Sequence, residues 1–274
     1  MRVGNTRIML KRIAAILILF LPLLTSAQNR SLLPQLLLTS QEANVTVASA
    51  RLEGFEQGLR KKTSTSDFAF LKTIFTKTQK NFLKHYSQYP ELSEIFSTGN
   101  YDCLTATSLF SILLSDFHFQ HRIVETNYHI FLMVQTTKGE VLIETTDRYN
   151  GFVTDLKEIE KRLGSYKQNI IAPASNKNYY AFHFSLYQNV SPHQLAGLLY
   201  YNRAVKSFNK KEYIQSAELL DKAKAIYESP RVAELAVILI EAAMESDLSE
   251  SNKLMIFERY KIYWQQRSHL MAVR

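Results

Sequence analysis

The sequence predicts an α+β fold in which a helix packs on a small antiparallel sheet and helical regions lie on either side. Three observations predict it. Apolar residues recur at three- and four-residue spacing between residues 41 and 97, and again after Pro173, which is the period of an amphipathic helix. Short runs rich in Val, Ile and Thr between residues 127 and 147 are typical of strands. A further apolar helix, starting near Cys103, precedes these strands.

Residues 1–27 have the pattern of a secretory signal peptide. Basic residues precede an apolar run at residues 13–24, and the small residues before Gln28 fit cleavage after Ala27. The run holds about a dozen residues, whereas a membrane-spanning helix needs roughly twenty, so a permanent anchor is the weaker interpretation. We therefore expect a secreted or periplasmic protein with no membrane span after signal cleavage.

Composition excludes several classes of function. The chain has 274 residues and a net charge of +8, and the basic residues of the predicted signal reduce this to about +4 in the mature protein, too little and too scattered for nucleic-acid binding. Cys103 is the only cysteine, so neither a disulfide framework nor a multi-cysteine metal site can form. The sequence has no phosphate-binding glycine loop and no H-E-x-x-H motif. We expect no cofactor and no bound metal.

The mature chain divides into three predicted segments. Residues 28–98 form an N-terminal helical region, residues 99–190 a core that carries the chemistry, and residues 191–274 a second helical region.

The only thiol is predicted to lie in the first turn of a helix. Asn100 or Asp102 can cap this helix, and apolar residues from Ala106 to Phe117 form its inner face. Unpaired backbone N–H groups and the helix dipole stabilise a thiolate at such a position. A lone cysteine is more often a small buried apolar residue. An exported protein that keeps one thiol has no disulfide to explain it, however, which makes Cys103 a candidate nucleophile.

The stretch that follows predicts a β-hairpin. A four-residue loop at 136–139 pairs Gln135 with Glu140, and a two-residue turn at Lys138-Gly139 is the alternative, which keeps the same residues on each face. In this register His129 and Glu144 are diagonal neighbours on one face of the sheet, within reach of a hydrogen bond. Asp147 points to the other face unless the loop is odd. A carboxylate beside an imidazole orients the ring and stabilises its cation. His129 is therefore a candidate base, with Glu144 or Asp147 as its acid partner.

Residues 100–151 resemble the transglutaminase-like superfamily. The resemblance lies in Tyr-Asp-Cys103 at a helix start, His129-Ile-Phe-Leu at a strand start, and Ile-Glu144-Thr-Thr in the partner strand. It implies a papain-like core, in which the helix that carries the cysteine packs on a small antiparallel sheet. It also implies that Cys103 is the nucleophile, His129 the general base and Glu144 the acid. Glu stands where the family usually has Asp, so Asp147 remains an alternative acid.

The C-terminal region resembles a tetratricopeptide unit from Gly197 to Pro230, with two helices that meet at a polar turn after residues 208–210. Residues 232–263 are also predicted to be helical but match the repeat poorly. Stacked repeats need at least about three copies to be stable alone, so we expect this unit to pack against the core. A peptide-binding groove and a helical buttress both remain open.

Two functions follow from these observations. The first is an exported cysteine enzyme of the transglutaminase-like kind, which acts on carboxamide or peptide bonds of a peptide or protein substrate, such as one of the cell envelope, through an acyl-thioester. It would be a hydrolase or an acyltransferase. The second is a catalytically inactive form of the same fold that serves as a periplasmic scaffold and binds a protein partner through the helical tail.

Overall fold

The computed structural model describes residues 32–62, 66–168 and 186–272. The predicted signal peptide and its cleavage point after Ala27 lie outside these residues. Within them the chain combines helices with a five-stranded antiparallel sheet, so the predicted α+β class is confirmed. Over the ranges just given, no helix combines the length and the apolar character that a membrane crossing requires.

The N-terminal region is mostly helical, as predicted. Its elements are α1 (Leu32–Leu37), α2 (Val45–Arg60), α3 (Asp67–Asn81), β1 (His85–Tyr86) and α4 (Leu92–Ser97). Local side chains start the longer helices, because Asn44 caps α2 and Ser66 caps α3. The short strand β1 was not predicted. It forms because the chain turns at Gly99, whose φ of 82° suits glycine. The next two residues, Asn100 and Tyr101, then pair with β1 in parallel.

The central region contains the sheet and the helix that carries the thiol. Its elements are β2 (Asn100–Tyr101), α5 (Cys103–Asp116), β3 (His121–Thr126), β4 (Ile130–Thr136), β5 (Gly139–Ile143), β6 (Phe152–Val153), α6 (Leu156–Gln168) and β7 (Tyr187–Val190). Strand β2 pairs with β1, and the other five strands form the sheet in the order β6-β5-β4-β3-β7. Every neighbouring pair in this sheet is antiparallel.

The sheet is covered on both faces. Ile130 and Leu132 of β4 belong to the large core that also contains the inner face of α5. The intervening residues, Phe131 and Met133, pack in a smaller cluster with Ile159 of α6. Because both faces are buried, successive residues of β4 are apolar, and the strict alternation of a half-exposed strand is absent from it.

The register of the β4–β5 hairpin agrees with the prediction, since Gln135 pairs with Glu140. Thr136 also pairs with Gly139, so the turn has two residues, Thr137 and Lys138. It is shorter than the four-residue loop and lies one residue before the alternative two-residue turn at Lys138-Gly139. Gly139 has a φ of 113°, a conformation that residues with a side chain rarely adopt, and its carbonyl oxygen accepts a hydrogen bond from the Thr136 hydroxyl at 2.7 Å. The parity that places His129 and Glu144 on one face is unchanged.

The C-terminal region consists of four helices: α7 (Leu195–Asn209), α8 (Tyr213–Ile226), α9 (Pro230–Met244) and α10 (Glu250–Ala272). The first two form the predicted helical pair. Small residues allow their close approach, because a Cβ at Gly197 would lie 2.7 Å from the Cβ of Tyr227, and the Ser216 hydroxyl donates to the carbonyl oxygen of Ala204 at 2.9 Å.

The helical tail packs against the core, as expected. The amide of Asn202 in α7 donates to a carboxylate oxygen of Asp102, directly before α5, at 2.9 Å. Glu125 of β3, which is only 2% exposed, accepts hydrogen bonds from Arg231 of α9 and from the hydroxyl of Tyr227, both at 2.6 Å. Buried polar groups thus join the tail to the sheet and to the helix that carries the thiol.

We expect Arg231→Met to lower the free energy of unfolding by about 3–5 kcal/mol, because it leaves the buried carboxylate of Glu125 without its cation. Chemical denaturation measures this change. The matched control is Arg122→Met, which removes a 2.6 Å ion pair with Glu140 at the surface and should cost less than about 1 kcal/mol. Equal losses in the two variants would contradict the assignment of the Glu125 pair as a buried tether.

Candidate active site

Cys103 is the first residue of α5, and a capping box sets where this helix begins. Of the two predicted caps, Asp102 is the one used: its carboxylate accepts the backbone N–H of Thr105 at 2.8 Å, and the Thr105 hydroxyl accepts the backbone N–H of Asp102 at 2.9 Å. The cap is buried, and Asn202 donates to its second oxygen. Cys103 is a free, partly exposed thiol. It therefore lies at the helix N-terminus as predicted.

His129 lies at the end of the short connection between β3 and β4. Hydrogen bonds to Thr126 hold both ends of this turn: the backbone N–H of Thr126 donates to the carbonyl oxygen of His129 at 2.8 Å, and the backbone N–H of His129 donates to the Thr126 hydroxyl at 3.1 Å. The imidazole is mostly buried. The prediction that His129 begins this strand is correct to within one residue.

Glu144 directly follows β5, and its side chain is 6% exposed. One carboxylate oxygen, Oε2, hydrogen-bonds to Nε2 of His129. The other oxygen, Oε1, accepts the hydroxyl of Tyr166 from α6 at 2.5 Å. The structure therefore brings Cys103, His129 and Glu144 together, although they come from one helix and two different strand ends.

Asp147, the alternative acid, has a different environment. Its Oδ1 accepts the backbone N–H groups of Tyr149 and Asn150 at 3.1 and 2.8 Å, which closes the turn after Glu144. Gly151 completes this turn, because a Cβ there would lie 2.2 Å from two carbonyl oxygens of the turn. The carboxylate that contacts the imidazole is that of Glu144.

The imidazole of His129 is held in its cationic form. Burial lowers its pKa, but hydrogen bonds to Cys103 and Glu144, together with the negative charge of these two groups, outweigh burial and raise the pKa to about 10. Nε2 is the ring nitrogen that bonds to Glu144. An imidazole beside a cysteine at a helix N-terminus is the arrangement in which cysteine acts as a nucleophile.

Two residues that sequence reasoning missed join the hairpin to the helices. Thr145 donates its hydroxyl to the carbonyl oxygen of Cys103 at 3.4 Å, and its own carbonyl oxygen accepts the side-chain amide of Gln79 in α3 at 2.7 Å. Gln79 is buried, and a polar residue on the apolar face of a predicted helix is a sequence signal for such a contact. Nothing comparable in the sequence distinguishes Tyr166.

Across residues 32–62, 66–168 and 186–272 there is no cluster of three or more metal-ligating side chains.

The pairing of His129 with Glu144 can be measured by NMR titration of the imidazole. We expect the pKa of His129 to be about 10 in the wild type and to fall toward 6.5 in Glu144→Gln, because the neutral amide no longer stabilises the cation. Asp147→Asn is the matched control and should leave it unchanged. An unchanged value in Glu144→Gln, or a fall in Asp147→Asn, would reverse the assignment.

The same group makes stability depend on pH. The pKa of His129 is raised in the folded state relative to 6.5, so its contribution to stability is fully present below pH 6.5 and is lost as the pH rises through about 10. We expect the midpoint of thermal unfolding to fall between these values in the wild type by more than it falls in His129→Ala. Identical pH profiles for the two proteins would contradict this linkage.

Comparison with known proteins gives no match at three levels. No family model matches the chain, and neither a curated protein nor a solved structure is significantly similar to it.

Proposed function

We propose that this protein is an exported cysteine enzyme of the transglutaminase-like kind, with a papain-like core formed by α5 and the sheet. It acts on carboxamide or peptide bonds through an acyl-thioester. The observation that supports this most is the chain of contacts from the Cys103 thiol to His129 and from His129 to the buried carboxylate of Glu144. These residue types supply the nucleophile, the base and the group that orients the base.

The acylation step begins with the thiol proton on His129. The thiolate of Cys103 attacks the carbonyl carbon, and the carbonyl electron pair moves to oxygen. The backbone N–H of Cys103, unpaired in the first turn of α5, is available to bind this oxyanion. The tetrahedral intermediate then collapses: its C–N bond breaks, the leaving amine takes the proton from His129, and the acyl group remains on sulfur.

The deacylation step uses the neutral imidazole as a base. His129 removes a proton from water or from an amine, which attacks the thioester carbon, and the C–S bond breaks as the thiolate of Cys103 is released. Hydrolysis is favoured over acyl transfer because water is always present, whereas an amine acceptor needs a site of its own. Throughout, Glu144 orients the imidazole and stabilises the imidazolium whenever it forms.

The alternative is a catalytically inactive binding module with the same fold. The observation that favours it is a set of exposed apolar side chains on the last two helices, namely Met244, Leu254 and Ile262. A module of this kind needs the fold of the core but not a reactive thiol. Reactivity of Cys103 therefore separates the two functions.

Alkylation by iodoacetamide tests the state of the thiol, and Cys103 is the only residue it can label as a cysteine. We expect the wild type to react rapidly at pH 7, because the imidazolium stabilises the thiolate, and His129→Ala to react at least about tenfold more slowly. Cys103→Ser is the control for labelling elsewhere. If the wild type reacts only after unfolding, the enzyme proposal fails.

Acyl transfer is tested with p-nitrophenyl acetate as the probe. We expect a burst of p-nitrophenolate equal to the enzyme concentration and an acetyl group on Cys103 detected by intact mass. Cys103→Ser should give no burst. His129→Ala should slow the burst because no base removes the thiol proton. A wild type without a burst would favour the binding module.

A further inference from the structure

We propose that Tyr166 is a positioning residue for this site. Its hydroxyl holds the carboxylate of Glu144 in the orientation in which the other carboxylate oxygen hydrogen-bonds to His129. This inference rests on the proposed function, because it assigns a fourth residue to the same group of side chains. Tyr166 does not touch the thiol in this role, and it acts through Glu144.

Both oxygens of the Glu144 carboxylate accept or share a hydrogen bond. Oε2 of Glu144 bonds to Nε2 of His129, and Oε1 accepts the Tyr166 hydroxyl at 2.5 Å. The terminal torsion of a glutamate side chain is broad, so a carboxylate with a single contact can rotate about it. With both oxygens bound by groups from different elements, the plane of the carboxylate is defined relative to the imidazole.

The hydroxyl of Tyr166 also offsets the electrostatic cost of burying the Glu144 carboxylate. Glu144 is almost fully buried, and an ionised carboxylate removed from water is costly unless its oxygens accept hydrogen bonds. Tyr166 supplies one of these bonds without adding a charge. Burial and the neighbouring carboxylate both raise the pKa of Tyr166, so the phenol keeps its proton and remains a donor.

The aromatic ring of Tyr166 packs near the imidazole of His129. Its centroid lies 5.6 Å from that of His129 and 5.0 Å from that of Phe131, whose ring in turn lies 6.2 Å from the imidazole. The tyrosine and phenylalanine rings thus pack beside the imidazole, in the apolar cluster that contains Ile159 of α6. Water excluded from this side cannot compete for the hydrogen bond between His129 and Glu144.

The position of Tyr166 follows from the docking of α6. Asp155 accepts the backbone N–H of Glu158 at 2.9 Å at the start of this helix, and Ile159 one turn later is buried against the sheet. The charged groups that act on Tyr166 are Glu144, Asp147 and Arg162, and the last is itself paired with Glu158 at 2.9 Å. The docked helix carries Tyr166 to the acid two turns beyond Ile159.

A double-mutant cycle tests whether Tyr166 acts through Glu144. We expect Tyr166→Phe, which removes only the hydroxyl, to slow the p-nitrophenyl acetate burst about tenfold with KM changed less than about twofold. In the Glu144→Gln background the same change should alter the rate less than about twofold, since the carboxylate to be positioned is gone. The matched control is Tyr149→Phe, at a tyrosine that is 87% exposed on the adjacent turn, and it should have no effect.

A second readout does not depend on turnover. The proton shared by His129 and Glu144 should give a resonance far downfield in the NMR spectrum, and Tyr166→Phe should broaden it or shift it upfield, with thermal unfolding measured alongside. If Tyr166→Phe leaves both the burst and this resonance unchanged, or slows the burst equally in both backgrounds, the inference is overturned. A wild type without a burst whose resonance responds to Tyr166→Phe contradicts the proposed function but supports the positioning role.

Discussion

The structure of the site depends on one buried hydrogen bond, between Nε2 of His129 and the carboxylate of Glu144. An ionised pair removed from water is stable only when each partner has further hydrogen bonds. Tyr166 supplies one to the carboxylate, and Cys103 interacts with the imidazole and raises its pKa. The packing of α5, the hairpin and α6 around this pair is what keeps water away from it, so the three elements and the charge distribution depend on each other.

The helical tail is linked to the same arrangement. Asn202 satisfies the second oxygen of the Asp102 cap, which sets where α5 begins and therefore where Cys103 lies. Arg231 neutralises Glu125 in the strand that ends just before His129. Both contacts are buried or nearly so, and each would leave an uncompensated polar group if the tail were displaced. These contacts favour a buttress over a separable binding unit for the part of the tail nearest the core.

Much of the local structure was predictable because its causes are local. A capping residue and an apolar helical face placed Cys103 at a helix start, and the period of two along a hairpin placed His129 and Glu144 on one face. The length and exact position of the loop did not matter, since loops of two and of four residues preserve the same parity. Elements that depend on distant packing were not predicted. They include strand β1, whose partner lies 15 residues along the chain, helix α6, and the turn that occupies Asp147.

The sequence by itself determined the helical regions on either side, the hairpin with His129 and Glu144 on one face, and the presence of one thiol at a helix N-terminus. Only the tertiary structure decided that Glu144 contacts His129 while Asp147 closes a turn, and that Tyr166, Gln79 and Asn202 support the site. The physical reason is the distance along the sequence over which each interaction acts. Caps and strand alternation act over a few residues, whereas these supporting contacts join residues 22, 66 and 100 positions apart and depend on how whole elements pack.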